Sequence, residues 1–186
     1  MSRQRLLLHI CCAPCASHVL EVLSEMFAVT GYFYNPNIHP EEEYEHRLRE
    51  ARRLQEHLDF PLIIGPYDTE SWMRDTSGLE EEPEGGRRCE ICFRIRLLKT
   101  AAEARQEDFG TIATTLTVGP RKRADMVNRV GNRAAKKYHL EFHAADFKKK
   151  EGFKKSVAFS KKHNLYRQDY CGCIYSLRER NRRRNR

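Results

Sequence analysis

Apolar positions along this chain come in short continuous runs that alternate with helical stripes. Arg5–Ile10 reads RLLLHI, a run typical of a buried strand, and the helical segment Ala16–Met26 follows with Val19, Leu20, Leu23 and Met26 on one face. Val29–Tyr34 reads as a second strand that runs into the loop NPNIHP. Pro40 followed by Glu41, Glu42 and Glu43 starts a helix, because proline suits the first turn and carboxylates complement its exposed N–H groups. Tyr44, Leu48, Ala51, Leu54 and Leu58 give that helix one apolar stripe, and Leu62–Ile64 makes a third strand. Pro66–Arg88 is rich in Gly, Glu and Asp and too long for a connector, so it reads as an active-site lid or substrate loop. A helix over Glu90–Gln106, a β-branched strand over Thr111–Val118 and a basic helix from Pro120 through His139 complete the pattern.

Alternating strands and helices predict an α/β fold of three layers, a parallel sheet with helices on both faces. Residues 1–147 make the α/β body, and 148–186 a C-terminal helical segment packed on the same domain. Ligands of such sheets sit beyond the carboxyl ends of the strands, where CCAPC, YNPNIHP and the loop after Thr115 converge. A chain of 186 residues, 40% hydrophobic, builds a core without disulfides. The start MSRQRLLLHICC carries too few apolar residues for a signal peptide, and no stretch approaches the roughly 18 of a membrane span, so a cytoplasmic protein is expected.

The net charge of +8 is unevenly placed. RERNRRRNR, from Arg178 to Arg186, holds six arginines and one glutamate, and KKKEGFKK, from Lys148 to Lys155, holds five lysines and one glutamate. Such blocks suit phosphate backbones, or else form a solvated helix face and a tail.

The seven cysteines fall in three motifs: Cys11, Cys12 and Cys15 in CCAPC, Cys89 and Cys92 in CEIC, Cys171 and Cys173 in CGC. A reducing compartment moves such clusters toward metal binding or redox catalysis, and an odd count fits disulfide pairing poorly. CCAPC and CEIC lie at predicted helix starts, where the local dipole favours thiolate. One tetrahedral zinc needs four ligands and leaves three cysteines idle; an iron-sulfur cluster plus a second centre uses them all. Structural zinc stays open on the motifs alone, and a thioredoxin-like role for CAPC leaves two motifs unexplained. Cys11, Cys12, Cys89 and Cys92 are the expected cluster ligands, Cys12 the least certain of them. Cys15, Cys171 and Cys173 then supply a neighbouring metal or a reversible dithiol, C-G-C being too tight for an unstrained bridge.

HICCAPC, YNPNIHPEEEYEHR, EGGRRCEICFRIRLLKTA, TTLTVGPRK and LYRQDYCGCIYS together resemble the cobalamin-independent epoxyqueuosine reductases, from about His9 to Ser176. The resemblance implies reductive removal of the epoxide oxygen of epoxyqueuosine in tRNA. It also implies a 4Fe-4S cluster with a second iron nearby, an external low-potential electron donor and a sheet similar to that of the PP-loop (adenine-nucleotide hydrolase-like) superfamily. CCAPCAS is not the Gly- and Ser-rich phosphate cradle of the ATP-using members, so no ATP use is expected.

Within that resemblance, Cys171, Cys173, Asp169 and Tyr170 are the expected catalytic residues, with His9 and Glu84 as further proton-donor candidates. His9 also reads as a satisfied buried histidine, Tyr170 as packing, Asp169 and Glu84 as solvated carboxylates. Asn35, Asn37 and His39 are candidates for a nucleobase pocket, the asparagines equally for turn caps. Arg167, with Arg121 and Lys122, is a candidate for phosphate or ribose, and Trp72 and Tyr67 for stacking on a splayed base. Two rival readings are a zinc-stabilised tRNA-binding module, which would be colourless, and a PP-loop-like tRNA thiolase, which would hydrolyse ATP.

Overall fold

In the computed structural model, which describes residues 3–185, the central strand is β1, Gln4–His9. Leu6, Leu7 and Leu8 are all fully buried because β1 is covered on both faces, and the segment therefore reads as a continuous apolar run. β2 (Phe27–Phe33) and β4 (Thr111–Thr114) flank it, β3 (Leu62–Ile64) lies beyond β2, and β5 (Glu141–Phe142) lies beyond β4. The result is a five-stranded sheet, parallel throughout, in the order β3-β2-β1-β4-β5. Leu6 and Leu8 face a core shared with α1 (Ala13–Ser24), α2 (Glu41–Leu58) and α6 (Gly152–Lys162). Leu7 faces a second core with α4 (Arg87–Gln106) and α5 (Ala124–Lys137). The predicted α/β class with helices on both faces is the one observed.

The direction of winding across the sheet reverses between β1 and β4, so the loops leaving these two adjacent strands open a crevice at their carboxyl ends. The β1 loop carries CCAPC. The predicted strand over Thr111–Val118 stops at Thr114, whose hydroxyl accepts from the Leu116 N–H and folds Thr115–Val118 into a tight 3-10 turn at the crevice. α4 also begins earlier than expected, at Arg87, which puts Cys89 and Cys92 in its first two turns.

The stretch Pro66–Arg88 is not an open lid. It contains α3, Thr69–Asp75, capped by the Asp68 carboxylate on the Ser71 N–H. Trp72 on α3 is 1% exposed and packs with Cys92, Cys173 and Tyr175, so it has no face for a splayed base. Tyr67 stacks on Tyr44 at 3.9 Å and donates its hydroxyl to the Ile38 carbonyl. Arg88, 2% exposed, ties down the rest of the stretch by donating to the carbonyls of Leu79, Glu80 and Glu82.

At the other end of the chain α6 lies against α1, and α7 (Ile174–Arg184) follows the C-G-C motif; Arg186 of the basic segment lies outside the described residues. Among the described residues no helix is long and apolar enough to cross a membrane.

Candidate metal and redox site

All three cysteine motifs sit at helix N-termini. Cys12 is the N-cap of α1, with Pro14 and Cys15 in the first turn; Cys89 and Cys92 open α4; Cys173 is the N-cap of α7 and accepts from the Ser176 N–H. Helix N-terminal N–H dipoles favour negative charge close to them.

Cys11, Cys12 and Cys15 form one group, their sulfurs within 4.8 Å of one another, and they offer three ligands to a metal ion. Thr115 donates its hydroxyl to Cys11 Sγ at 3.2 Å, which links the β1 and β4 loops across the crevice. Hydrogen bonds from Cys11 and Cys15 hold the Cys12 thiol well below the usual range, burial opposing and Arg47 assisting; bonds to Cys11 and Cys12, with burial, push Cys15 well up. Cys92 and Cys173 pack together in the cluster under α3. Gly85 donates its N–H to Cys89 Sγ at 3.2 Å, and Lys122 donates to Cys171 Sγ at 2.8 Å. For Cys89 the expectation of a dipole-stabilised thiolate fails, because burial outweighs the Gly85 hydrogen bond and pushes the thiol up to about 11. Burial likewise raises Cys173.

Two buried arginines and a half-buried lysine surround these sulfurs. Arg47, 2% exposed, pairs with Glu43 at 2.7 Å and donates to the carbonyls of Cys171 and Tyr170. Lys122 bridges Cys171 and Glu84; burial opposes its charge, but the sulfur and the carboxylate outweigh burial and raise its pKa above the ordinary lysine value. Arg96 on α4 is 2% exposed, and Cys92, Cys171, Cys11 and Cys89 are the groups that favour its charge against burial. Among the described residues no carboxylate forms a salt bridge with Arg96, and its Nη2 has no hydrogen-bond partner. Neither Arg47 nor Arg96 was among the sequence candidates. The available signal was an arginine placed in phase with buried positions: Arg47 beside Tyr44 and Leu48, Arg96 beside Cys92, Phe93 and Thr100.

A cavity of about 220 Å³ opens in front of this group, with Cys11, Cys15, Cys171, Arg96 and Lys122 in its wall. Arg167, Arg121, Glu84, Asp169 and Tyr170 also line it. Several candidates prove to be structural. Asp169 is ion-paired with both Arg180 and Arg184, which makes it a clamp. Tyr170 commits its proton to the His39 carbonyl at 2.6 Å, and burial pushes its pKa above the ordinary tyrosine value. His9, fully buried, bonds Thr114 Oγ1 and the Tyr34 carbonyl, and burial together with Arg96 lowers its pKa to about 4, so it is neutral and satisfied.

Asn35 and Asn37 are buried, and neither they nor His39 lines this cavity. Their work is support: Asn35 donates to the Ile10 carbonyl, His39 Nδ1 meets the Asn37 carbonyl, and the His39 N–H bonds Gly172 O at 2.8 Å. Gly172 has φ of +123, and a Cβ there would stand 3.1 Å from both Arg47 Nη1 and Ile38 Cγ1. The C-G-C loop is thus moulded by Arg47 on one side and the NPNIHP loop on the other.

A parallel α/β sheet whose switch point gathers cysteines, helix N-termini and buried cations around one cavity defines a thiolate-rich site of the metal-binding or redox class. The chain belongs to the epoxyqueuosine reductase QueH family, whose model matches residues 6–179. It is 38% identical over 182 residues to the epoxyqueuosine reductase QueH of Streptococcus pyogenes serotype M1, covering 95% of this chain and 71% of that one. The QueH of Haemophilus influenzae is 40% identical over 180 residues (96% of this chain, 74% of that one). That of Thermotoga maritima is 36% identical over 180 residues (94% and 91%).

Proposed function

We propose that this chain is a cytoplasmic oxidoreductase that removes the epoxide oxygen of epoxyqueuosine in tRNA, and that its cysteines hold iron for the purpose. Arg96 carries the reading. A buried guanidinium without a carboxylate partner costs several kcal/mol unless negative charge accompanies it. Metal-bound thiolates supply that charge, and a bound cation reverses the upward shift that burial imposes on Cys89. The N–H and O–H donors to Cys11, Cys89, Cys171 and Cys173 fit sulfurs that act as ligands.

In a tetrahedral thiolate site with metal–sulfur bonds of about 2.3 Å the sulfurs stand roughly 3.8 Å apart. Cys11 Sγ and Cys12 Sγ are 3.8 Å apart, so we assign Cys11, Cys12 and Cys15 as the residues that would hold a single iron. Cys89, Cys92, Cys171 and Cys173 are then the ligands of a 4Fe-4S cluster. The grouping expected from element starts, with Cys11, Cys12, Cys89 and Cys92 on the cluster and Cys15, Cys171 and Cys173 on the second centre, is the alternative assignment.

Converting an epoxide to an alkene and water takes two electrons and two protons. The two iron centres would supply the electrons, from an external low-potential donor, and a Lewis acid for the oxygen. The protein supplies the rest. Lys122 Nζ, held by Glu84 in the cavity wall, presents N–H groups to the departing oxygen, and Glu84 with Lys122 is the proton-bearing pair closest to Cys171. Arg167, exposed at the rim with its guanidinium over Phe153, is placed for ribose or phosphate.

The strand order supports the likeness to the PP-loop sheet, with a cysteine loop where those enzymes bind ATP. Anaerobic purification tests the reading. Brown protein with iron and sulfide and no ATP hydrolysis is expected. Colourless protein with stoichiometric zinc would select the RNA-binding module, and ATP turnover the thiolase.

A further inference from the structure

We propose that the arginine face of α7, together with Arg121, is a phosphate track that leads the RNA backbone into the cavity; this deepens the reading of the chain as a tRNA-modifying enzyme and rests on it. A second groove, of about 300 Å³, shares Glu84, Arg121, Asp169, Tyr170 and Cys171 with the cavity and continues along Arg180, Arg183 and Arg184. The two spaces therefore adjoin, and Cys171 of the C-G-C loop stands between them.

Arg180, Arg183 and Arg184 share one face of α7 because residues three and four apart are neighbours on a helix. From Arg180 to Arg184 the helix rises about 6 Å. At roughly 3.4 Å per nucleotide along a stacked strand, that spans nearly two nucleotide steps. The side chains of Arg121, Arg183 and Arg184 are 60%, 56% and 65% exposed, so their charges are available to a ligand. The carboxylates nearby do not cancel them. Glu84 is held at 3.0 Å by Lys122 and only at 3.6 Å by Arg121, Glu179 touches Arg183 at 3.5 Å, and Asp169 divides itself between Arg180 and Arg184. Exposed pairs of this kind are worth about 0–1 kcal/mol each, so a phosphate displaces them at little cost. Before that exchange Asp169 keeps Arg180 and Arg184 turned toward the groove.

Two lysines of the 148–155 block have partners within the chain. Lys148 Nζ bonds the carbonyls of Thr117 and Lys122 and pairs with Asp146 at 3.0 Å, which straps the 3-10 turn and the Lys122 loop; Lys154 pairs with Glu151.

The test is fluorescence anisotropy with a labelled, unmodified 17-nucleotide anticodon stem-loop RNA, titrated at several salt concentrations against the anaerobically purified full chain. Arg121→Gln/Arg183→Gln/Arg184→Gln removes three exposed charges without touching the core. We expect its affinity to fall about tenfold or more at physiological salt and the slope of log Kd against log salt to drop by about 2. Lys136→Gln/Lys137→Gln, at the end of α5 that lies at the far edge of the sheet, should bind as the wild type does. An unchanged slope in the arginine variant, or a larger loss in Lys154→Gln/Lys155→Gln, overturns the track. Turnover of modified tRNA by the wild type is measured separately, so the track can fail while the proposed activity stands.

Discussion

At the scale of single residues the site is governed by where charge is buried. Arg96 is the sharpest case, since it is a cation with a free Nη2 and sulfurs for neighbours. Replacing a buried, unpaired charge with an apolar side chain of similar length is neutral or stabilising when nothing anionic accompanies it. Arg96→Met is therefore expected to melt no lower than the wild type once both are stripped of metal. The iron-loaded variant should show a more negative midpoint potential in spectroelectrochemistry, because reduction adds negative charge that the guanidinium would have stabilised; Arg96→Lys should restore most of it. A stripped variant that melts well below the wild type would make Arg96 an ordinary structural residue. Gly172 is the second case. With φ at +123, and with Arg47 and Ile38 both 3.1 Å from where a methyl group would stand, Gly172→Ala meets strain and steric crowding together, and urea denaturation should show a loss of about 1–3 kcal/mol.

At the scale of elements the sheet decides which parts of the sequence could be read in advance. β1, α2 and β3 were legible because their apolar spacing is set by local burial: Tyr44, Leu48, Ala51 and Leu54 lie under α2 as their period predicts. The same rule fails where a tertiary contact overrides local preference. TIATTLTV is mostly β-branched, yet the Thr114 hydroxyl ends the strand and turns Thr115 onto Cys11, a partner 104 residues away. The two-residue β5 is too short for any periodicity to announce it. Grouping the cysteines depended on an even longer return, since Arg47 reaches the Cys171 carbonyl across 124 residues. Close packing within β2 gives an independent check on the sheet. A Cβ at Gly31 would lie 2.6 Å from Ile10 Cδ1 and 2.8 Å from Phe60 Cε2. Overpacking of about 1–3 kcal/mol should exceed the roughly 0.5–1 kcal/mol that alanine gains over glycine in a strand, so Gly31→Ala is expected to lower the thermal midpoint.

At the scale of the whole molecule the fold delivers three distant cysteine motifs to one crevice and places the basic face of α7 beside it. If Cys11, Cys12 and Cys15 serve one iron and the other four a cluster, single Cys→Ser changes should divide into two spectroscopic classes. Cys12→Ser should retain the cluster colour and lose about one iron per chain, whereas Cys173→Ser should bleach it; iron and sulfide analysis reads both. Identical behaviour of the two variants would return the cysteines to a single shared centre. The most direct measurement of the central claim is mass spectrometry of the nucleosides from tRNA bearing epoxyqueuosine after incubation with the iron-loaded chain and a low-potential reductant. The account predicts that epoxyqueuosine disappears and queuosine, lighter by one oxygen, takes its place. Epoxyqueuosine that persists unchanged in the presence of a fully loaded, reduced chain would contradict it.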